Sequence, residues 1–193
     1  MRSAYSQAVS RLTLTLAVGD YDHTRDVANG VVRPEGLEIR HLDLPVEEIF
    51  YRFIKFREWD LSEMSFGKYV SFVSQGERAF VAIPVFPSRV FRLSSFYVHR
   101  DGRVRSPKEL AGARIGMPEW AQTASIYTRG YIAHDLNVPL ESIEWVQAGL
   151  NNAGRAEKVE LKLPAGIRYR HEEKRSLTEL LLERDIDVIL SAR

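Results

Sequence analysis

The chain has 193 residues, with 45% apolar and 27% charged side chains; that is ordinary globular usage, enough for one large domain or two small ones, and it excludes a disordered chain, a collagen and a coiled coil. Lys and Arg number 27 against 26 Asp and Glu, a net +1, so no global charge excess points to nucleic acid or an anionic membrane, and no apolar run reaches the roughly 18 residues a spanning helix needs. Cysteine is absent, which removes disulfides, thiolate nucleophiles and Cys-ligated zinc together.

Arg2 and Arg11 precede Leu12-Thr13-Leu14-Thr15-Leu16-Ala17-Val18. The stretch is short, Thr interrupts it, and Gly19-Asp20-Tyr21-Asp22 follows instead of a small-x-small cleavage pattern, so residues 12–18 read as a strand rather than a signal peptide and the expected location is cytoplasmic. A second strand, 37–42, follows the turn Pro34-Glu35-Gly36. Residues 46–54 form a helix with Ile49, Phe50, Phe53 and Ile54 on one face. A short strand at 59–64 leads to a helix carrying Tyr69, Val70, Phe72 and Val73, which stops near Gly76. Runs 79–85, read as a buried strand, and 94–99 complete the first half. The turn Arg100-Asp101-Gly102-Arg103 marks a junction. Ser106-Pro107-Lys108-Glu109 is a helix-start pattern. Strand 113–117, helix 121–136, strand 143–146, a loop at 149–156, a capping box at Ser176-Leu177-Thr178-Glu179 and strand 186–190 follow. The alternation predicts an α/β fold with mostly parallel sheets and two lobes, 1–98 and 99–193. In such folds ligands sit beyond the carboxyl ends of strands, or between lobes.

Four strand-end segments carry chemistry. The first, residues 19–25, packs Asp20, Tyr21, Asp22, His23 and Arg25 together. Arg25 can clamp a carboxylate and His23, Asp20 or Asp22 can move a proton, or the segment is a polar turn in which Asp22 or Thr24 caps a helix. In the second, Ser65 caps the next helix or meets an anion, and Glu63 is an acid/base group or an ion-pair partner. In the third, Phe86, Arg89 and Arg92 combine apolar walls with cations, inside a stretch (89–129) holding eight Lys and Arg against three Asp and Glu; such a mix suits an aromatic acid, and the alternative is a surface pair on a connection. In the fourth, the N–H groups of Gln122, Thr123 and Ala124 open a helix and favour an anion, Trp120 can stack on a ring, and Glu119 becomes a proton donor if burial raises its pKa; the alternative is a plain strand–helix turn capped by Thr123.

The histidines are scattered without metal-ligand spacing, so no metal is expected. The glycine-rich phosphate loops and the Gly-x-Ser-x-Gly elbow are absent. The basic run 168–175 reads as a solvated face.

Residues 106–116 resemble the second-lobe opening of type 2 periplasmic binding proteins, and 181–190 resemble their return-hinge strand. Within that superfamily, segments 19–24, 61–65, 83–92 and 116–124 are most similar to the 4,5-dihydroxyphthalate decarboxylase family. The resemblance implies a two-lobed fold whose first lobe is incomplete, because family members continue past the point matching Arg193. It implies non-oxidative loss of one carboxylate from 4,5-dihydroxyphthalate, giving 3,4-dihydroxybenzoate and CO2. No cofactor is needed because the ring is its own electron sink, and no metal is strictly required, although one could hold the catechol oxygens. The implied partner is a small aromatic acid, with no nucleic acid or membrane, and the oligomeric state is left open. Under this resemblance Arg89 and Arg92 hold the carboxylates with help from residues 122–124. His23 with Asp20 or Asp22 handles a ring hydroxyl, Glu63 or Glu119 protonates carbon, and Trp120 and Phe86 sandwich the ring. The rival expectations are a non-catalytic solute-binding protein, an enzyme acting on another ring acid, and an inactive fragment.

Overall fold

The computed structural model describes residues 11–191; Arg2, weighed above as part of a leader, lies outside them. The described residues up to Met64, with Ala82–Arg89, form one compact unit, and Ser65–Val81 with the residues from Val90 form another.

The first unit holds a three-stranded parallel sheet in the order β2-β1-β3: β1 (Leu12–Ala17), β2 (Leu37–Leu42) and β3 (Leu61–Ser62). Two helices link them, α1 (Arg25–Ala28) and α2 (Val46–Phe56). The predicted face of α2 packs inward: Ile49 is buried and Phe50, Phe53 and Ile54 are half-buried. β3 is shorter than the sequence suggests. The Asp60 carboxylate takes the Thr15 N–H at 2.8 Å and the Thr15 hydroxyl at 2.7 Å, so a side chain replaces a carbonyl and the ladder starts one residue later.

The second unit holds a five-stranded sheet in the order β4-β8-β5-β6-β7: β4 (Phe96–Val98), β5 (Arg114–Met117), β6 (Glu144–Gln147), β7 (Arg168–His171) and β8 (Val188–Leu190). All neighbours are parallel except β4 and β8. Three helices complete it: α3 (Phe66–Ser74), α4 (Thr123–Gly130), which runs on into a π-helical turn (Tyr131–Asp135), and α5 (Leu177–Leu182). Both sheet faces are buried, as parallel sheets require. Ile115, Met117, Trp145, Val188 and Leu190 pack with Ile132 and Ile143 on one side. Val146 and Ala148 pack with Leu177, Leu180 and Ile186 on the other. Gly116 lets α5 close down, because a Cβ there would come within 2.6 Å of Leu177 and Ile186.

One expectation changes. Residues 79–85 form no strand: Pro84 and Pro87 bring no N–H to a ladder, and Val81, Ile83 and Val85 are exposed. The basic run 168–175 contains β7, an edge strand whose charged side chains suit its single-sided pairing. α3 buries residues of its first turn. Val70 and Val73 are exposed, while Gly67 and Lys68 are buried. Among the described residues no helix is long and apolar enough to cross a membrane.

Candidate functional site

Each unit gathers its polar residues at the carboxyl ends of its parallel strands. In the first unit, Glu63 follows β3 and is buried. Its Oε1 accepts the Gly19 N–H at 2.8 Å and its Oε2 accepts the Tyr21 hydroxyl at 2.9 Å, so it orders the loop after β1 with two neutral donors. The Tyr21 ring stacks on the exposed His23 ring at 5.8 Å. Arg25 bridges Asp20 and Asp22, both at 3.0 Å and both exposed. The hydrogen-bonded guanidinium holds Asp20 below the usual carboxylate range. A ring nitrogen of His41 meets the Val18 carbonyl at 2.8 Å, a contact the sequence did not signal. Phe86 and Arg89 are exposed in the same unit.

In the second unit, Glu119 stands two residues beyond β5 and is fully buried. Its carboxylate pairs with Lys68 of α3, with Arg155 Nε at 2.8 Å and Nη2 at 2.5 Å, and with Lys158 Nζ at 3.4 Å. Lys68 also reaches Glu157 Oε1 at 3.1 Å, and Glu157 Oε2 accepts the Ala121 N–H at 3.2 Å. Gln147, at the end of β6, pins this arrangement: its Nε2 donates to the Pro118 carbonyl at 2.7 Å and the Arg155 carbonyl at 2.6 Å. Desolvation pushes the Glu119 pKa up, but Lys68, Lys158 and Arg155 together outweigh it and hold the group below the usual carboxylate value. The expectation that burial would raise this pKa is therefore corrected: three cations keep the group ionised. Trp120 carries the Arg129 guanidinium over one ring face at 3.7 Å and meets Trp145 and Tyr169 edge-on.

The start of α4 is built by tertiary contact. Its N-cap is Gln122, not Thr123. The Thr123 hydroxyl accepts the Gly67 N–H at 3.0 Å and lies 3.0 Å from the Ser65 hydroxyl, so a residue of α4 satisfies the N-terminus of α3. A Cβ on Gly67 would come within 2.8 Å of the Ala121 carbonyl and 3.0 Å of the Thr123 nitrogen. The two helix starts thus face each other closely.

No protein-family model matches the chain. The 4,5-dihydroxyphthalate decarboxylase of Pseudomonas putida is 33% identical over 186 residues, covering 96% of this chain and 72% of that protein. This chain belongs to the 4,5-dihydroxyphthalate decarboxylase family. The Comamonas testosteroni enzyme of the same name is 37% identical over 186 residues, covering 96% of this chain and 56% of that protein. The chain therefore spans a little over half the length of one of these decarboxylases and about seven-tenths of the other.

Measured against the site expected for a 4,5-dihydroxyphthalate decarboxylase, the residues fall into two groups. Asp20, Asp22, His23, Arg25 and Glu63 come together in the first unit; Ser65, Glu119, Trp120, Gln122, Thr123 and Ala124 come together in the second, where Arg92 is half-buried. Sequence reading missed Lys68, Arg129, Arg155, Glu157 and Lys158. Lys68 looks like one solvated helix lysine, and 149–156 reads as a loop by composition. The local cation surplus between 89 and 129 was the one signal pointing near Arg129.

Proposed function

We propose that the chain acts on 4,5-dihydroxyphthalate, releasing one carboxylate as CO2 and leaving 3,4-dihydroxybenzoate. The observation that carries this is the match to two proteins of that name across 96% of the chain. The fold is taken as two-lobed and periplasmic-binding-protein-like, with the division between lobes near residue 98, and the location as cytoplasmic.

The chemistry follows from the ring. A hydroxyl para to the departing carboxylate gives up its proton and pushes electron density onto the carbon bearing that carboxylate. An acid protonates this carbon, the C–C bond breaks, its electrons restore the aromatic ring, and CO2 leaves. The hydroxyl then recovers a proton, so one proton is consumed per CO2. His23, beside Asp20 and Asp22, is assigned the hydroxyl proton. Glu63 is assigned the proton to carbon in preference to Glu119. Among the described residues Glu63 forms no ion pair and has two neutral donors, whereas Glu119 is surrounded by cations that favour its ionised form. Arg89 and Arg92 remain assigned to the carboxylates, with Arg25, Ser65 and residues 122–124 as further contacts and Phe86 and Trp120 against the ring.

The test is CO2 release from 4,5-dihydroxyphthalate, with 3,4-dihydroxybenzoate measured in the same samples. Equal amounts of both products are expected. Glu63→Gln should lower kcat by about 100-fold or more, the size of a lost general acid, with KM changed little. Tight binding of the diacid with no CO2 replaces this reading by solute capture. Full turnover by Glu63→Gln removes the proton-delivery role.

A further inference from the structure

Arg129 is 7% exposed. It lies in the last turn of α4, and its long side chain runs back toward the helix start, as helix side chains do. It ends over Trp120, with Nη1 donating to the Met117 sulfur at 3.6 Å, a weak acceptor. Among the described residues no carboxylate stands within ion-pair distance of it. Burial pushes its pKa down to about 9, with Glu157 opposing, so it is still a cation at neutral pH. A buried cation without an anion is strongly unfavourable, and one aromatic face with one sulfur does not replace a carboxylate.

Two further groups share this helix face. Gln122, Ser125 and Arg129 are spaced three and four apart, which stacks them along one side. Gln122 Oε1 and the Ser125 hydroxyl are buried and have no hydrogen-bond partner. Nearby, Lys68, Arg155 and Lys158 already outnumber Glu119 and Glu157 before Arg129 is added. The buried Ser125 hydroxyl, the Arg129 guanidinium and surplus positive charge at the carboxyl end of β5 together describe half of an interaction whose other half is an anion; Gln122 Oε1, an acceptor, calls for a donor instead.

We propose that Arg129 is a carboxylate-binding residue of the second unit, taking one carboxylate of an aromatic dicarboxylate by its guanidinium fork, with the Ser125 hydroxyl donating to the same group. This rests on the reading of the ligand as a ring diacid, and it adds a residue to which that reading assigned no role. The unpaired cation is then a feature of the ligand-free state that the diacid removes.

The test is titration of the full chain with three probes: 4,5-dihydroxyphthalate, phthalate without the hydroxyls, and the monoacid 3,4-dihydroxybenzoate. The unaltered chain should prefer the diacids. Arg129→Gln should weaken both diacids by about 30-fold and erase their preference over the monoacid, while Arg129→Lys, which keeps the charge but not the fork, should lose about tenfold. Ligand-free Arg129→Met should melt no lower than the unaltered chain and should lose the rise in Tm that phthalate gives. Undiminished diacid binding by Arg129→Gln overturns the assignment and leaves decarboxylation standing. A lower Tm for Arg129→Met with the phthalate shift intact makes the guanidinium structural and also overturns it. Arg129-dependent diacid binding without CO2 release keeps the assignment and overturns decarboxylation. No diacid binding by the unaltered chain overturns both.

Discussion

Glu119 shows how a buried carboxylate is assigned its role by its neighbours. Taken alone, a fully buried glutamate is pushed toward its protonated form; here Lys68, Lys158 and Arg155 reverse the outcome. Glu119→Gln leaves Lys68, itself 2% exposed, with Glu157 as its carboxylate among the described residues, and removal of one partner from a buried ion pair costs about 3–5 kcal/mol. We expect a loss near 3 kcal/mol in urea unfolding. The pH dependence has a definite sign. The folded group binds its proton more weakly than the unfolded one, so its stabilisation is present in full above the ordinary value of 4.5 and fades as pH falls through the lower folded value. Between 4.5 and the lower folded value, the stability of Glu119→Gln should therefore fall less steeply with acid than that of the unaltered chain. An identical acid profile in the two proteins would show that the cations do not hold the group ionised.

At the scale of elements, the junction of α3 and α4 is the contact that places Lys68 beside Glu119. Ser65 stands at the N-cap of α3 but makes no capping hydrogen bond; Thr123, 56 residues beyond Gly67, accepts that helix's N–H instead. Gly67→Ala would drive a methyl into the Ala121 carbonyl and Ile126, an overpacking cost of about 1–3 kcal/mol. Thr123→Val keeps the shape but removes the acceptor, which should cost about 1 kcal/mol. Both losses should register in denaturant midpoints, and Gly67→Ala should also loosen α3 in hydrogen exchange. If Gly67→Ala is neutral, the close approach of the helices is not tight.

At the scale of the whole molecule, burial is uneven. Among the described residues, the buried apolar residues of the first unit are Ala17, Val18 and Ile49, whereas the second unit buries two clusters on either side of its sheet. Opening free energies follow buried contacts. Amides of β5, β6 and β8 should therefore exchange slowest, and those of β1 and β2 sooner, with more than one transition in urea. Uniform protection across both sheets would refute this ordering. The 81–93 stretch, with Val81 and Phe91 at 90% and 94% exposure, should exchange fastest of all.

The sequence alone determined what local periodicity and capping encode. β1, β2, β5 and β6 fall within a residue or so of their predicted positions, and the Ser176–Glu179 capping box starts α5 as read, with Ser176 Oγ accepting the Glu179 N–H at 3.2 Å and Glu179 returning the contact. Three of the four strand-end segments, those after β1, β3 and β5, were also legible, because parallel topology places loops at carboxyl ends; the fourth, carrying Phe86, Arg89 and Arg92, follows no strand. Only the tertiary structure decided what those segments hold. Whether 79–85 pairs, whether a basic run is an edge strand, which lysine is buried and which way the Glu119 pKa moves all depend on residues tens of positions away. Lys68, Glu119, Arg155 and Glu157 meet because α3, the end of β5 and the segment 155–157 converge. Electrostatics and ladder pairing act through space, and a single sequence records only neighbours along the chain.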